Sequence, residues 1–190
     1  MQNLIKKRLQ ESIDVKQQLL NDELVEIVVQ IATEIVVTYR RGGKVLLFGN
    51  GGSAADAQHI AGELVGRFMK ERKGLPAIAL TTNTSILTAV ANDYGYEKVF
   101  IRQLEALGSE QDLVIGISTS GNTENVNQAI EFAKQKKIKT VGLTGGTGGQ
   151  LAKLVDISLC IPTKSTPRIQ EAHITVGHIL CELIENELFE

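Results

Sequence analysis

The sequence predicts an α/β fold: a three-layer, doubly wound, five-stranded parallel sheet in the flavodoxin-like order 2-1-3-4-5. Three observations point there. Short apolar runs at 45–48, 77–80, 113–117, 140–143 and 157–161 lack period-two alternation, as expected of strands buried on both faces. Between them lie longer segments of helical character, so strands and helices alternate along the chain. The stretches after the first and third strands, GNGGSAADAQH and STSGNTEN, form loops that lead into helices.

Two helices come first. Leu4/Ile5, Leu9 and Ile13 recur at helical spacing with polar residues between them. The second helix is expected over 22–41, with Asp22 as its N-cap. It is apolar almost all round, through Leu24, Val25, Ile27, Val28, Val29 and on to Val37. A helix without a polar face is buried on every side, and in a small domain that means burial against another subunit. Residues 1–41 are therefore expected to be a helical oligomerisation segment within a single domain covering 1–190. From Gly42 the strand–loop–helix pattern begins. Helices are expected at 54–69, at 85–107 with a break around Tyr94-Gly95, at 125–135 and at 149–154. A last helix, 167–189, opens on Pro167, and proline is favourable in a first helical turn.

Composition narrows the partners. At 190 residues the chain has room for one sizeable core, and its 43% apolar and 22% charged residues are ordinary for a globular protein. Twenty basic residues against twenty-two acidic ones argue against a nucleic-acid partner, which needs a basic stripe. They do not exclude an anionic substrate, because backbone amides alone can hold a phosphate. Cys160 and Cys181 lie in apolar runs and are expected as buried thiols of a reducing compartment. There is no Cys-x-x-Cys pair for a thiolate zinc site. The N-terminus lacks the apolar core and cleavage site of a signal peptide. No apolar run approaches the roughly 18 residues needed to span a bilayer. A cytoplasmic protein with no membrane partner is expected.

In an open parallel sheet, ligands bind beyond the C-terminal strand ends, where strand order reverses. In the order 2-1-3-4-5 the loops after the first and third strands face each other across that crevice. Ser118-Thr119-Ser120-Gly121-Asn122-Thr123 offers hydroxyls and leads into a helix N-terminus, which together can seat a phosphate. The same residues also serve as ordinary helix caps and turns. Gly49-Asn50-Gly51-Gly52-Ser53 allows close backbone approach to a ligand, but it fails the dinucleotide pattern, because Ala54 stands where glycine is required. No GxxxxGK[ST] motif is present. His59 and Glu63, four apart, share a face of the helix leaving the first loop, a pattern that also suits a simple surface pair. Gln170 and His178 lie eight apart on the last helix, about two turns. His173 is read as a hydrogen-bonded structural residue.

Four spaced motifs, GNGGSAADAQHIAGE, LTAVANDYGYE, ISTSGNTENV and RIQEAHITVGHILCELIE, together resemble the phosphoheptose isomerases of the SIS (sugar isomerase) superfamily. The resemblance implies an aldose–ketose isomerase that interconverts sedoheptulose 7-phosphate and D-glycero-D-manno-heptose 7-phosphate through an enediol, the first step towards surface-polysaccharide heptose. It implies a homotetramer with shared active sites and one zinc ion per subunit. Carried over by position, it makes Glu63 the catalytic base and His178 its acid–base partner, and it places a metal on His59, Glu63, Gln170 and His178. It also implies that Ser118, Thr119, Ser120 and Thr123 cradle the phosphate. Asn50, Gly51, Gly52, Ser53, Arg67, Asn92, Asp93 and Gln170 are implied as further substrate contacts. Thr123 replaces a serine common in the family, and Pro167 stands where some relatives carry an acidic residue. Two other readings stay open: a non-catalytic SIS-type regulatory protein, such as a replication-initiation partner, and an isomerase of another sugar phosphate.

Overall fold

The computed structural model describes residues 1–189. Helices α1 (Gln2–Gln18) and α2 (Asp22–Arg40) precede strand β1 (Val45–Gly49). Then come α3 (Gly52–Val65), β2 (Ala77–Ala79), α4 (Thr84–Tyr94), α5 (Val99–Leu107) and β3 (Leu113–Ser118). The chain continues through α6 (Glu124–Gln135), β4 (Lys139–Gly145), α7 (Leu151–Leu154), β5 (Ile157–Ile161) and α8 (Thr166–Leu188). The sheet is parallel throughout, in the order β2-β1-β3-β4-β5, with Leu47 opposite Ala79 on one side and Ile115 on the other.

Successive strand side chains point to opposite faces, and each face has its own core. Val45, Leu47, Ile115 and Val141 pack with α2, α3 and α8, while Leu46, Phe48 and Val114 pack with α5, α6 and α7. Both faces being covered explains why the strands read as continuous apolar runs. Each fully buried leucine or phenylalanine contributes about 1.5–3 kcal/mol.

Several boundaries differ from expectation. Asn21, not Asp22, caps α2, its Oδ1 accepting from the Glu23 amide at 2.9 Å; Asp22 is the first helical residue, where its charge suits the helix dipole. α3 ends at Val65 rather than 69, because the next residues leave the helix to meet a carboxylate of α8, described below. The break near Tyr94-Gly95 is real: one 3-10 turn, Tyr96–Lys98, separates α4 from α5. α2 is not buried all round in the single chain. It buries Ile31, Ala32, Ile35, Val36 and Thr38 and leaves Val25, Val29 and Val37 exposed. Neither cysteine is bridged, and Cys160 is only partly buried where Cys181 is fully so. Burial pushes the Cys181 thiol up to about 12, with the charges of Glu63 and Glu185 acting in the same direction.

His173 ties α8 to the sheet. It is fully buried, and its Nε2–H donates to the Thr144 carbonyl of β4 at 3.1 Å. Burial lowers its pKa from 6.5 to about 4, against the opposing effect of that hydrogen bond. The unfolded chain therefore takes up this proton near pH 6.5 and the folded chain only near 4. The stabilisation from a neutral His173 is complete above that window and is lost as pH falls through it. Denaturant midpoints should fall between pH 6.5 and about 4, and His173→Gln, which keeps an N–H for Thr144, should flatten part of that slope. Subtracting the two profiles separates His173 from the carboxylates that titrate nearby. Identical slopes would assign the effect elsewhere.

Candidate active site

Strand order reverses between β1 and β3, so the loops leaving these neighbouring strands open onto one crevice. A pair of amides joins them. Asn50 Nδ2 donates to Asn125 Oδ1 at 2.8 Å, and Asn125 Nδ2 donates back to Asn50 Oδ1 at 3.2 Å. The Tyr96 hydroxyl donates to the same Asn50 oxygen at 3.0 Å. Asn50 is thereby held from both sides of the switch point. Gly51 caps α3, Gly52 opens it and Ser53 is buried in its first turn. Gly52 lets the Gln170 amide pack against it: a Cβ there would lie 2.5 Å from Gln170 Nε2 and would push that side chain aside.

The loop after β3 keeps its donors available. Ser118, buried at the strand end, shares a hydrogen bond with Thr123 Oγ1 at 2.7 Å and accepts from the Gly121 amide at 3.1 Å. Thr123 occupies the N-cap of α6 but directs its hydroxyl at Ser118 rather than at the helix amides. The first-turn N–H groups of α6 are left without a side-chain cap, an arrangement suited to an anion. Thr119 is half-buried, and exposed Ser120 accepts from the Asn122 amide at 3.2 Å.

A second cluster forms where α3 meets α8. His59 Nε2 lies 2.9 Å from His178 Nε2 and 3.2 Å from Glu63 Oε1. The ligating atoms of His59, Glu63 and His178 all fall within 4.8 Å of one another. Two imidazole nitrogens this close need either a shared proton or a shared cation between them. Four-coordinate metal sites with bonds of about 2.0–2.2 Å hold their ligand atoms about 3.3–3.5 Å apart. An outward shift of a few tenths of an ångström would bring the His59–His178 pair to that spacing, and His59 and Glu63 are already close to it. The Gln170 amide packs on Gly52, which lies about two turns before His59 on α3.

Other candidates lie at the margins. The Arg67 side chain is 60% exposed and only 3.5 Å from exposed Glu71. Asn92 and Asp93 sit exposed at the end of α4, bonded to each other at 2.8 Å. Among the residues that sequence reasoning passed over, Asn125 and Tyr96 fix Asn50, and Phe68 stacks on His178 with ring centroids 5.6 Å apart. Asp56 shares the α3 stripe of Gly52, His59 and Glu63, at spacings of four, three and four. Its Oδ2 is buried without a hydrogen-bond partner, and burial raises its carboxyl to about 6 against the opposing effect of His59. The stripe spacing was the readable signal for Asp56; the aromatic contacts left none.

Comparison with known proteins agrees with this geometry. The SIS domain family matches residues 9–145. The phosphoheptose isomerase of Aneurinibacillus thermoaerophilus is 57% identical over 190 residues, spanning 100% of this chain and 96% of that protein. The solved phosphoheptose isomerase of Neisseria gonorrhoeae is 44% identical with a TM-score of 0.92, covering 97% of this chain and 98% of that one. A phosphoheptose isomerase from Francisella tularensis gives 40% identity and a TM-score of 0.93, covering 97% of each chain. This chain belongs to the phosphoheptose isomerase family of SIS-domain proteins.

Proposed function

We propose that the protein interconverts sedoheptulose 7-phosphate and D-glycero-D-manno-heptose 7-phosphate, supplying heptose precursors for surface glycans. The observation that carries this reading is the convergence of Glu63, His59 and His178 within 4.8 Å. The full-length match to phosphoheptose isomerases favours it over a regulatory SIS protein or an isomerase of another sugar phosphate.

The substrate phosphate is seated by Ser118, Thr119, Ser120 and Thr123 with the amides that open α6. Asn50, Gly51, Gly52, Ser53 and Gln170 line the adjoining wall, and exposed Arg67, Asn92 and Asp93 complete the site. His178 moves a hydroxyl proton to open the sugar ring. Glu63 then takes a proton from the carbon beside the carbonyl and returns it to the neighbouring carbon, so that an enediol lies between ketose and aldose. Phe68 covers one face of His178 and limits water there. His59, Glu63 and His178 suit zinc, with Gln170 as a fourth ligand. When bound, zinc supplies Lewis acidity towards the sugar oxygens. The unbridged thiols fit a cytoplasmic location, and no helix among the described residues is long and apolar enough to cross a membrane.

The assembly is read as a homotetramer with shared sites, built through residues 1–41 of a single domain. Leu4, Ile5, Leu9 and Ile13 of α1 are each more than half exposed. An apolar groove of about 460 Å³ runs between α1, α2 and α8, lined by Leu20, Val25, Val29, Ile179 and Leu183. α4 buries none of its residues in the single chain. Exposed apolar surface on this scale calls for a partner, and closed symmetry is the common solution. Light scattering at micromolar concentration should give four chains; a stable monomer would overturn the shared-site reading.

Metal content should be about one zinc per chain by elemental analysis, with activity falling on chelation and returning on readdition. Full activity in demonstrably metal-free protein would mean that the side chains act alone. Glu63→Gln keeps size but cannot accept the proton, so turnover should fall about 10²–10⁴-fold. Incorporation of solvent deuterium into the product should fall with it, while phosphate affinity stays near wild type. Near-normal turnover at unchanged zinc content would remove Glu63 as the base.

A further inference from the structure

Glu185 lies on α8 about two turns beyond His178, its side chain 1% exposed. A buried carboxylate needs partners for its lone pairs, and this one has four. The amides of Phe68, Met69 and Lys70 donate to it at 2.8, 2.8 and 2.9 Å, and Arg72 Nε donates at 2.9 Å. Burial alone would raise its pKa, but these donors outweigh burial and hold it below the usual carboxylate range. All four come from the segment that follows α3, so a single side chain of α8 sets the path of that segment.

Arg72 carries the constraint onward. It is as buried as Glu185, and its remaining N–H groups reach the carbonyls of Leu64 at 2.7 Å and Glu63 at 2.9 Å. These lie in the last turn of α3, where carbonyls lack helical partners and a cation suits the dipole. The ion pair thus links the turn that carries Glu63 to the helix that carries His178. The same segment lays Phe68 over the His178 imidazole, with 20° between the ring planes. A buried ion pair is a weak source of stability, since apolar replacements of equal volume are often neutral or better. Its effect here is on geometry.

We infer that Glu185 and Arg72 are positioning residues for the isomerisation. They fix Glu63 and His178 relative to each other through the end of α3 and the Phe68 ring. The inference rests on the roles assigned above to Glu63 and His178.

Glu185→Gln keeps the size of the side chain but turns an NH₂ towards donors and leaves Arg72 without its counter-charge. Displacement of about 1 Å at a catalytic group costs on the order of 10²-fold, so kcat should fall about 10- to 100-fold. KM for sedoheptulose 7-phosphate should stay within about threefold, because the anion-binding loop belongs to other elements. The discriminating readout is NMR of protein labelled with ¹³Cε1-histidine, compared at equal zinc loading; the chain has three histidines, so three resonances are expected. The Phe68 ring current should displace the His178 resonance in the wild type, and Glu185→Gln and Phe68→Leu should both abolish that displacement. The double variant should lose no more kcat than the worse single one. A folded Glu185→Gln with normal kcat, or with the His178 resonance unmoved, would overturn the inference. If Glu185→Gln does not fold, Phe68→Leu and Arg72→Lys carry the test, and unchanged kcat in both overturns it. Failure of the catalytic assignments reads out separately, as turnover retained in Glu63→Gln, because the ring-current signal reports position whether or not His178 is catalytic.

Discussion

The candidate active site depends on how closely α3 and α8 approach. Their narrow point is Ile60 against Gly177, where a Cβ on residue 177 would lie 2.8 Å from the Ile60 side chain. Helices usually pack 8–10 Å apart, at a distance set by the side chains in contact. With none at Gly177, the residues beside the contact, His59 and His178, bring ring nitrogens to 2.9 Å. The helices run side by side in the same direction, with Gln170 against Gly52 at one end and Glu185 beyond Val65 at the other. Three contacts along one line fix both rotation and register.

The crevice at the switch point is built on different physics. The loop after β3 presents hydroxyls and unpaired amides, a locally positive surface made without a basic side chain. The stripe of α3 presents the carboxylates of Asp56 and Glu63 and the imidazole of His59, beside His178 of α8. Reversal of strand order between β1 and β3 puts the loops that leave these strands on one opening, and the reciprocal amides of Asn50 and Asn125 join them.

The fold was legible in the sequence because a parallel sheet covered on both faces leaves an unmistakable apolar pattern. All five expected strands appear in order. Boundaries were less legible where the deciding contact is remote. α3 stops at Val65 because Glu185, more than a hundred residues away, captures the next amides, and no local pattern announces that. Asn21 and Asp22 are adjacent and equally able to cap, so sequence could not separate them. At the site, the four-residue spacing of His59 and Glu63 and the eight-residue spacing of Gln170 and His178 were readable, whereas only resemblance to a known family brought the two helices together. Phe68, Tyr96, Asn125 and Arg72 act through long-range contacts with residue types common anywhere. The exposed apolar surfaces of α1 and α2 were readable as patterns, since apolar spacing is the same whether a helix faces its own core or another copy.

Cys181 sits three residues beyond His178, with Glu63 and Glu185 acting on it electrostatically and its thiol pushed to about 12. Peroxides, electrophiles and soft metals react with the thiolate, so burial and the raised pKa both disfavour reaction at this sulfur. The burial that packs the helices therefore also passivates the one soft nucleophile near the imidazoles.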